Sequence, residues 1–531
     1  MKNHHHTTVI GAISLFILAS FTSVSAFSDG YILTGAYGGT TTILMDTAGN
    51  TVHSWDHSKL TNRSNGYSCY LLPNGNLLRT SQGRFSGTFA PSNFQPAQGA
   101  IDEVDSSGKL VWTYTLYNDS SMLHHDMKPL PNGNILAVSF YPIPKTRVEP
   151  LGIDPNLLKP GVNTLLGEKI LELKPKYPSG ADIVWEWSVF DHIAKKEEAA
   201  AHPELISGYI VPALWQNQWI HLNGIDYSPT TNLIVFSSRI FSELYVIERT
   251  ETTELAKGHT GGTYGKGGDI LYRWGNSKNY EISGGVTLEV LHSPTWIPEG
   301  YEGAGNIMFF HNNMTAIKSE VLEIKPPCDD NGNFVLETGK AFGPAEPTWK
   351  YAPESGLYSK VMSSAIRMPN GNTVVHEAFP TETWWEDGSH PQTDSRVREV
   401  NKKSEILWSD TLKIKGTMGF NPAKIMYYPS SYEGVCKLLG LPVVKNRENG
   451  DAAVSPLSLP RIRHTPESII FSGVAGYTIN IVTVQGKRLV TLESKNASMS
   501  IRTDQMGPGL FCVRLMKNNQ CITSRMVNVV K

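Results

Sequence analysis

The sequence predicts an all-β fold, a six-bladed β-propeller followed by a small C-terminal β-sandwich, and three observations carry that expectation. The first is a four-letter repeat: Pro73-Asn74-Gly75-Asn76, Pro131-Asn132-Gly133-Asn134 and Pro369-Asn370-Gly371-Asn372, each between apolar runs. Asn-Gly supplies positive φ, so each copy reads as strand, two-residue type I′ turn, strand. Degenerate copies stand at Tyr227–Asn232 (YSPTTN) and Ile297–Asn306 (IPEGYEGAGN). The second is a strand, a polar turn and a strand ending in tryptophan, at Trp55, Trp112, Trp185, Trp274, Trp349 and Trp408. These six lie on average about 71 residues apart, room for four strands and their loops, the size of a generous propeller blade. The third is punctuation: 47 Gly and 32 Pro in 531 residues cut the chain into pieces too short for long helices. A string of separate sandwiches would need linkers between units, and none is present before residue 430. The segment from Gly416 to about Pro429 is expected to complete the last blade, with help from the strand Gly30–Ala36, because a propeller closes its ring to hide edge strands.

The flanks read differently. Residues 1–26 carry a Lys-bearing polar start, an apolar run from Val9 to about Phe21, and Val24-Ser25-Ala26, the pattern of a secretory signal peptide cleaved after Ala26. The apolar run is short for a membrane span. The mature chain is expected to be exported, to the periplasm, the cell surface or the exterior, and His4, His5 and His6 leave with the signal. The propeller takes 27–430. Residues 431–460 lose the pattern and become rich in Pro, Ser, Asn and charge, as a linker does. Residues 461–531 read as about seven short strands. This tail resembles the C-terminal sorting domain of type IX secretion substrates in its VQGKRLV and GPGLFCVRL stretches and its basic-ended last strand, VNVVK, with Phe511 where Tyr is usual. The resemblance implies a partner in the secretion machinery. Five cysteines are too few and too odd in number for a disulfide framework; Cys512 and Cys521 flank a hairpin turn and could pair.

Lys plus Arg (47) nearly balance Asp plus Glu (49), so no global field draws nucleic acid or an anionic membrane and any anion site is local. Four places offer one: His124-His125-Asp126, His221-x-Asn223, Arg239 at the end of FSSR, and His292 in LHSPTWIP. Alternation along a strand puts His221 and Asn223 on one face. Singly, each histidine suits a structural role as well as a chemical one. Together they recur at one place, the strand leading into the strand-turn-strand unit of three successive blades, so that His124 or His125, His221 and His292 fall at equivalent positions around one axis. Imidazoles there could bind a metal. Arg239 would oppose a cation, however, and Asp126 is the one carboxylate at hand, so no metal and no cofactor is expected. Arg offers a planar fork to sulfuryl or phosphoryl oxygens, Asn donates without charge, and His serves as nucleophile or acid.

At these residues the span from about Gly30 to Pro429 resembles the bacterial arylsulfate sulfotransferases, exported six-bladed propellers that move a sulfuryl group from a phenyl sulfate to a phenol without a nucleotide sulfate donor. The matching stretches are HHD at 124–126, HLN at 221–223, SSR at 237–239, RWGN at 273–276 and HSPTW at 292–296. The resemblance implies that His292 attacks sulfur and is transiently sulfated, that His221, Asn223 and Arg239 hold the sulfuryl oxygens, and that a histidine of the HHD pair, His125 by preference, completes the pocket. His124, Trp296 and Tyr358 are candidates for contact with the aryl group, although packing alone would equally account for the two aromatic rings. Three departures stand out: Leu291 where Gln usually precedes the histidine, FHNN at 310–313 in place of FDNG, and Glu320 in place of an Arg. His192 and His376 have no assigned role and read as surface or hydrogen-bonded residues. The competing reading is a secreted, non-catalytic propeller that uses the same funnel to bind a sulfated glycan or another surface ligand.

Overall fold

Runs such as Leu233–Ser238 (LIVFSS) and Glu243–Glu248 (ELYVIE) are rich in β-branched and aromatic residues, which favour extended backbone, and every residue in both is buried. A strand buried on both faces needs layers on both sides of its sheet. The computed structural model describes residues 28–529 except 61–62, 83–97, 155, 157, 159–162, 210–217, 355, 381–392, 417–419, 442–460 and short stretches of the tail (465–467, 473, 475, 484–487, 496–497, 504–505, 507 and 518–519). The expected signal segment and most of the expected linker lie outside the described residues. The fold is all-β, with three short α-helices among the described residues.

Up to Tyr428 the described strands form six four-stranded antiparallel sheets and one short two-stranded parallel pair. The first strands of the second to sixth sheets are Ser64–Leu71, Met122–Pro129, Leu222–Ser228, Leu291–Trp296 and Ser364–Arg367. Those of the third, fourth and fifth sheets touch in succession, so side chains from separate parts of the chain meet there. The first sheet is completed by the far end of the chain: Met426–Tyr428 pairs antiparallel with Tyr31–Gly35, Tyr31 opposite Tyr428. The returning chain thus completes the first sheet and not the last. The sixth sheet already has its four strands, whereas Tyr31–Gly35 would otherwise present an open edge.

The tryptophans are the outer anchors. Thr51–Asp56 is exposed or half-exposed except at Trp55, and the six tryptophans all sit on the last strand of a sheet. Their indole N–H groups reach forward: Trp55 Nε1 donates to Asp105 O (3.0 Å), Trp112 to Gly180 O (2.8 Å), Trp185 to Thr250 Oγ1 (3.1 Å), Trp274 to Pro344 O (2.8 Å) and Trp349 to Lys402 O (2.8 Å). Each acceptor belongs to the following sheet. The Pro-Asn-Gly-Asn turns also look forward. Glu172 takes Asn134 Nδ2 at 2.5 Å from its own sheet's turn and Arg249 Nη2 at 2.6 Å from the next sheet, and Glu103 takes Asn76 at 2.6 Å and Tyr177 Oη at 2.5 Å.

These turns are not type I′. Gly75 N donates to Leu72 O and Leu72 N to Asn76 O, with Gly75 at φ 89° and Asn74 not among the positive-φ residues. In a type I′ turn centred on Asn-Gly, Pro73 would have to return an N–H to Asn76 O, which proline lacks; Leu72 takes that place, and the loop is a type I turn with Pro73 at its first central position, followed by a left-handed glycine.

Part of the expected linker is packed. Glu433–Leu439 is helical, with Val435 buried against Leu71, Leu77 and Tyr428, and a side chain at Gly434 would meet Leu72 O at 2.3 Å. Beyond it, seven strands from Arg461 to Val529 form sheets of three and four around Ile469, Phe471, Ile479, Val513 and Leu515. In the last hairpin Cys512 stands opposite Met526 and Cys521 opposite Met516. The side chains of both cysteines, and with them the expected pairing, lie outside those described.

Trp112→Phe keeps the ring buried and removes the donor to Gly180 O, and is expected to cost about 1 kcal/mol. Trp112→Ala is expected to cost about 3–5 kcal/mol. Denaturant midpoints of the two variants check the ordering, and equal losses would remove the hydrogen bond from the account.

Candidate active site

Each of the three central first strands carries a bulge at its histidine. Register shifts fall between His124 and Met127, between Leu222 and Gly224, and between His292 and Thr295. His125 (φ 47°), His221 (φ 55°) and Ser293 (φ 53°) have left-handed backbone there. A bulge inserts an extra residue and re-aims side chains, so neighbouring residues escape strict alternation. Both members of the 124–125 pair therefore belong to the cluster: His124 Nδ1 lies 2.8 Å from His125 Nδ1, and His125 Nε2 lies 3.1 Å from His221 Nε2.

His124 stacks on Phe140, and its Nε2 faces Glu168 Oε1 at 3.6 Å. Glu168 is fully buried and accepts from Leu222 N at 2.9 Å, and burial pushes its carboxyl well above the usual carboxylate range against the pull of that bond. Asp126 turns the other way, accepting Lys424 Nζ at 2.8 Å and Ile225 N at 3.2 Å. Both carboxyl groups near the histidines are thus engaged behind them.

His292 is oriented by Asn312. The Asn312 amide Nδ2 donates to Ser359 O (2.8 Å) and Met362 O (3.1 Å), which leaves Oδ1 as an acceptor 2.6 Å from His292 Nδ1. Nδ1 therefore carries the proton and Nε2 holds the lone pair. Met362 N donates to that Nε2 lone pair in a long hydrogen bond of 3.3 Å. Asn223 bridges two sheets, donating to Leu291 O at 2.7 Å and accepting Ser237 Oγ at 2.5 Å, which leaves one amide hydrogen for another acceptor. Arg239 follows its strand, with its backbone N–H on His221 O at 3.0 Å. Its charge adds to the depression of His125, His221 and His292.

Burial is the main cause of those depressions. It brings His292 to about 3 despite the opposing Asn312 bond, holds His124, His125 and His221 well below the usual histidine range, and lowers Arg239. The cluster is four neutral imidazoles, a guanidinium and an amide gathered at the meeting of three sheets. Its donors and single fixed charge suit an anion with several oxygens.

Two sequence candidates lie elsewhere. Trp296 packs in the apolar core between the fourth and fifth sheets with Leu233, Val235 and Phe309. Tyr358 is buried on the segment that supplies the Ser359 and Met362 carbonyls to Asn312. His192 is fully buried and hydrogen-bonded, one of the two expected settings, whereas His376 is fully buried with neither ring nitrogen hydrogen-bonded among the described residues and so fits neither. Glu168 and Tyr67, whose ring meets His125 edge-on at 5.3 Å, went unread in the sequence, and Asn312 was noted only within FHNN, without a role. Tyr67 occupies a first strand leading into a Pro-Asn-Gly-Asn turn, so aligning the repeats would have found it. The departures at 311 and 320 answer each other: His311 and Glu320 are register partners, and His311 Nδ1 lies 3.3 Å from Glu320 Oε2.

The family model for arylsulfotransferase (ASST) matches residues 26–418, most of the chain. The chain belongs to the arylsulfotransferase family. As an arylsulfotransferase it is an enzyme whose substrates are a small-molecule aryl sulfate and a phenol. No curated protein matches it. Among solved structures it is similar to a putative 6-phosphogluconolactonase from Bacteroides fragilis (10% identity, 76% of this chain and 98% of that one, TM-score 0.33). It is also similar to a Lactobacillus plantarum protein (9% identity, 89% and 99%, TM-score 0.33) and to the Swd1 beta-propeller domain of Myceliophteria thermophila (8% identity, 74% and 88%, TM-score 0.35).

Burial also sets the acid stability of this arylsulfotransferase. His57, His292 and His376 fall from 6.5 to about 3 in the folded chain. Between those values the unfolded chain binds protons that the folded one does not, so stability is greatest above pH 6.5 and falls as pH drops toward 3. Each such histidine contributes a slope of up to about 1.4 kcal/mol per pH unit. Denaturant unfolding from pH 7.5 to 4.5 measures it, and a flat profile would contradict the neutral cluster.

Proposed function

We propose that the six sheets are the blades of a closed six-bladed propeller and that His292 at its centre carries the sulfuryl group through a covalent intermediate. The observation that carries this reading is the Asn312–His292 contact of 2.6 Å. It presents the His292 Nε2 lone pair as nucleophile and keeps a proton on Nδ1.

In the first half-reaction Nε2 attacks the sulfur of the aryl sulfate. The N–S bond forms, the S–O bond to the aryl group breaks, and the phenolate leaves with the bonding pair. Arg239, Asn223 and the His125–His221 pair face the sulfuryl oxygens and the departing oxygen, where negative charge accumulates. The positioning and charge logic is that of a loose, in-line group transfer. Because Asn312 is a neutral acceptor, the Nδ1 proton stays on the ring, and sulfated His292 remains a cationic imidazolium, a good leaving group. In the second half-reaction the acceptor phenol oxygen attacks sulfur, the N–S bond breaks, and the phenol proton passes to a neutral histidine of the cluster. Donor and acceptor then alternate at one site.

The chain is further proposed to be exported through residues 1–26, with the tail folding as a small β-sandwich that engages secretion machinery. Among the described residues no helix is long and apolar enough to cross a membrane.

His292→Ala is expected to abolish nitrophenolate release from 4-nitrophenyl sulfate with a phenol acceptor. Incubation of the parent enzyme with donor alone should give a sulfuryl adduct on the peptide containing His292. Asn312→Asp, which holds the ring proton more tightly, should slow turnover about 10- to 100-fold, in the range for altered acid–base partners. Full activity in His292→Ala would end the mechanism. Deleting residues 461–531 should leave turnover intact and retain the protein inside the producing cell, and normal export of the truncated chain would refute the sorting role.

A further inference from the structure

Away from the catalytic histidines, one cluster remains unused by the mechanism. His192, buried just past the last strand of the third sheet, meets His259 and Asp269, both on the connection into the last strand of the fourth sheet. His192 Nδ1 lies 2.8 Å from Asp269 Oδ1, and His259 Nδ1 lies 2.7 Å from the same oxygen. His192 Nε2 lies 2.8 Å from Ala256 O. A carbonyl oxygen only accepts, so Nε2 carries a proton, and in the neutral ring Nδ1 is then a lone pair pointed at a carboxylate oxygen. Two acceptors are held face to face unless a cation or a second ring proton lies between them.

The surroundings are built to hold this arrangement. Trp187 stacks on His192 with ring planes 4° apart and anchors its indole N–H on Gly268 O at 2.7 Å. The segment Gly258–Asp269, GHTGGTYGKGGD, folds back on itself through Gly267 N to Gly261 O (2.8 Å) and Gly268 N to Gly258 O (3.0 Å). A side chain at Gly268 would meet Ala256 O at 1.9 Å, so only glycine permits the return that sets His259 beside Asp269. The three ligand atoms all lie within 4.8 Å of one another. Buried His192 and Asp269 form the floor, and exposed His259 leaves the outer side open to solvent.

We propose that His192, His259 and Asp269 bind one divalent zinc-class ion, with water in the fourth position. Two imidazoles and one carboxylate are a donor set suited to zinc, and the Ala256 carbonyl supplies the outer hydrogen bond that fixes a ligand histidine's tautomer. The ion clips the glycine-rich connection of the fourth sheet to the end of the third. It takes no part in sulfuryl transfer.

The test uses full-length protein stripped with chelator and dialysed, compared with His259→Ala, whose altered side chain is exposed and leaves the fold intact. The N-terminal histidines 4–6 are common to both and cancel in the difference. The parent is expected to bind one more zinc ion per chain than His259→Ala by equilibrium dialysis with elemental analysis. Zinc should raise the parent's thermal midpoint by several degrees and leave that of His259→Ala unmoved. Cobalt(II) in place of zinc should give the intense visible bands of a four-coordinate site in the parent alone, while aryl sulfate turnover stays equal in both. Equal zinc uptake by the two proteins, or a midpoint that zinc does not shift in the parent, overturns the proposal and leaves a hydrogen-bonded His–Asp–His cluster.

Discussion

The backbone pairing of Tyr31–Gly35 with Met426–Tyr428 is the constraint on which the rest of the structure depends. It joins the two ends of a chain of six sheets and hides an edge that would otherwise be open. Just before that strand stands Lys424, whose ammonium reaches Asp126 at 2.8 Å, and both residues are buried. The closing segment therefore supplies the counter-charge for the carboxylate beside His124 and His125. An unpaired carboxylate in that position would be costly to bury and would favour protonated imidazoles. Closure and neutrality of the site are thus linked through one ion pair.

Neutrality gives the arylsulfotransferase site its chemical character. A buried cluster of charged histidines would repel itself and Arg239, so burial leaves the rings neutral and the guanidinium as the fixed charge facing them. Hydrogen bonds then decide which nitrogen carries the proton. On His292 the decision belongs to Asn312, whose own amide is oriented by two backbone carbonyls of the segment entering the sixth sheet. His292 is on one sheet, its orienting amide on the same sheet, and the group that fixes the amide on the approach to the next.

The repeat was legible because its signals are local. Pro-Asn-Gly-Asn and the terminal tryptophans mark strand ends whatever they later touch, although proline's missing N–H displaces the type I′ turn that Asn-Gly alone suggests. His125, His221 and His292 were legible through their equivalent places in three repeats. Asn312 keeps the expected Asn inside the altered FHNN stretch, but its role was not legible there, because its contact with His292 spans 20 residues and two strands. The exchange at His311 and Glu320 was read as two separate departures because a register pairing between strands is not written in either one. Trp296 shows the opposite failure: a ring close to His292 in sequence lies in an apolar core, since the bulge after His292 redirects the remainder of its strand.

By itself the sequence determined the all-β fold, the turns and tryptophan-ended strands that recur along it, and the residue types brought to the cluster, because turn chemistry and strand patterning act over a few neighbouring residues. Tertiary structure alone decided which sheet the returning strand joins, that both histidines of the 124–125 pair join one cluster, which nitrogen of His292 carries the proton, and that His192 meets His259 and Asp269. Each of those depends on bulges, on burial, or on hydrogen bonds between segments far apart in the chain, and such distances are fixed only when the sheets pack.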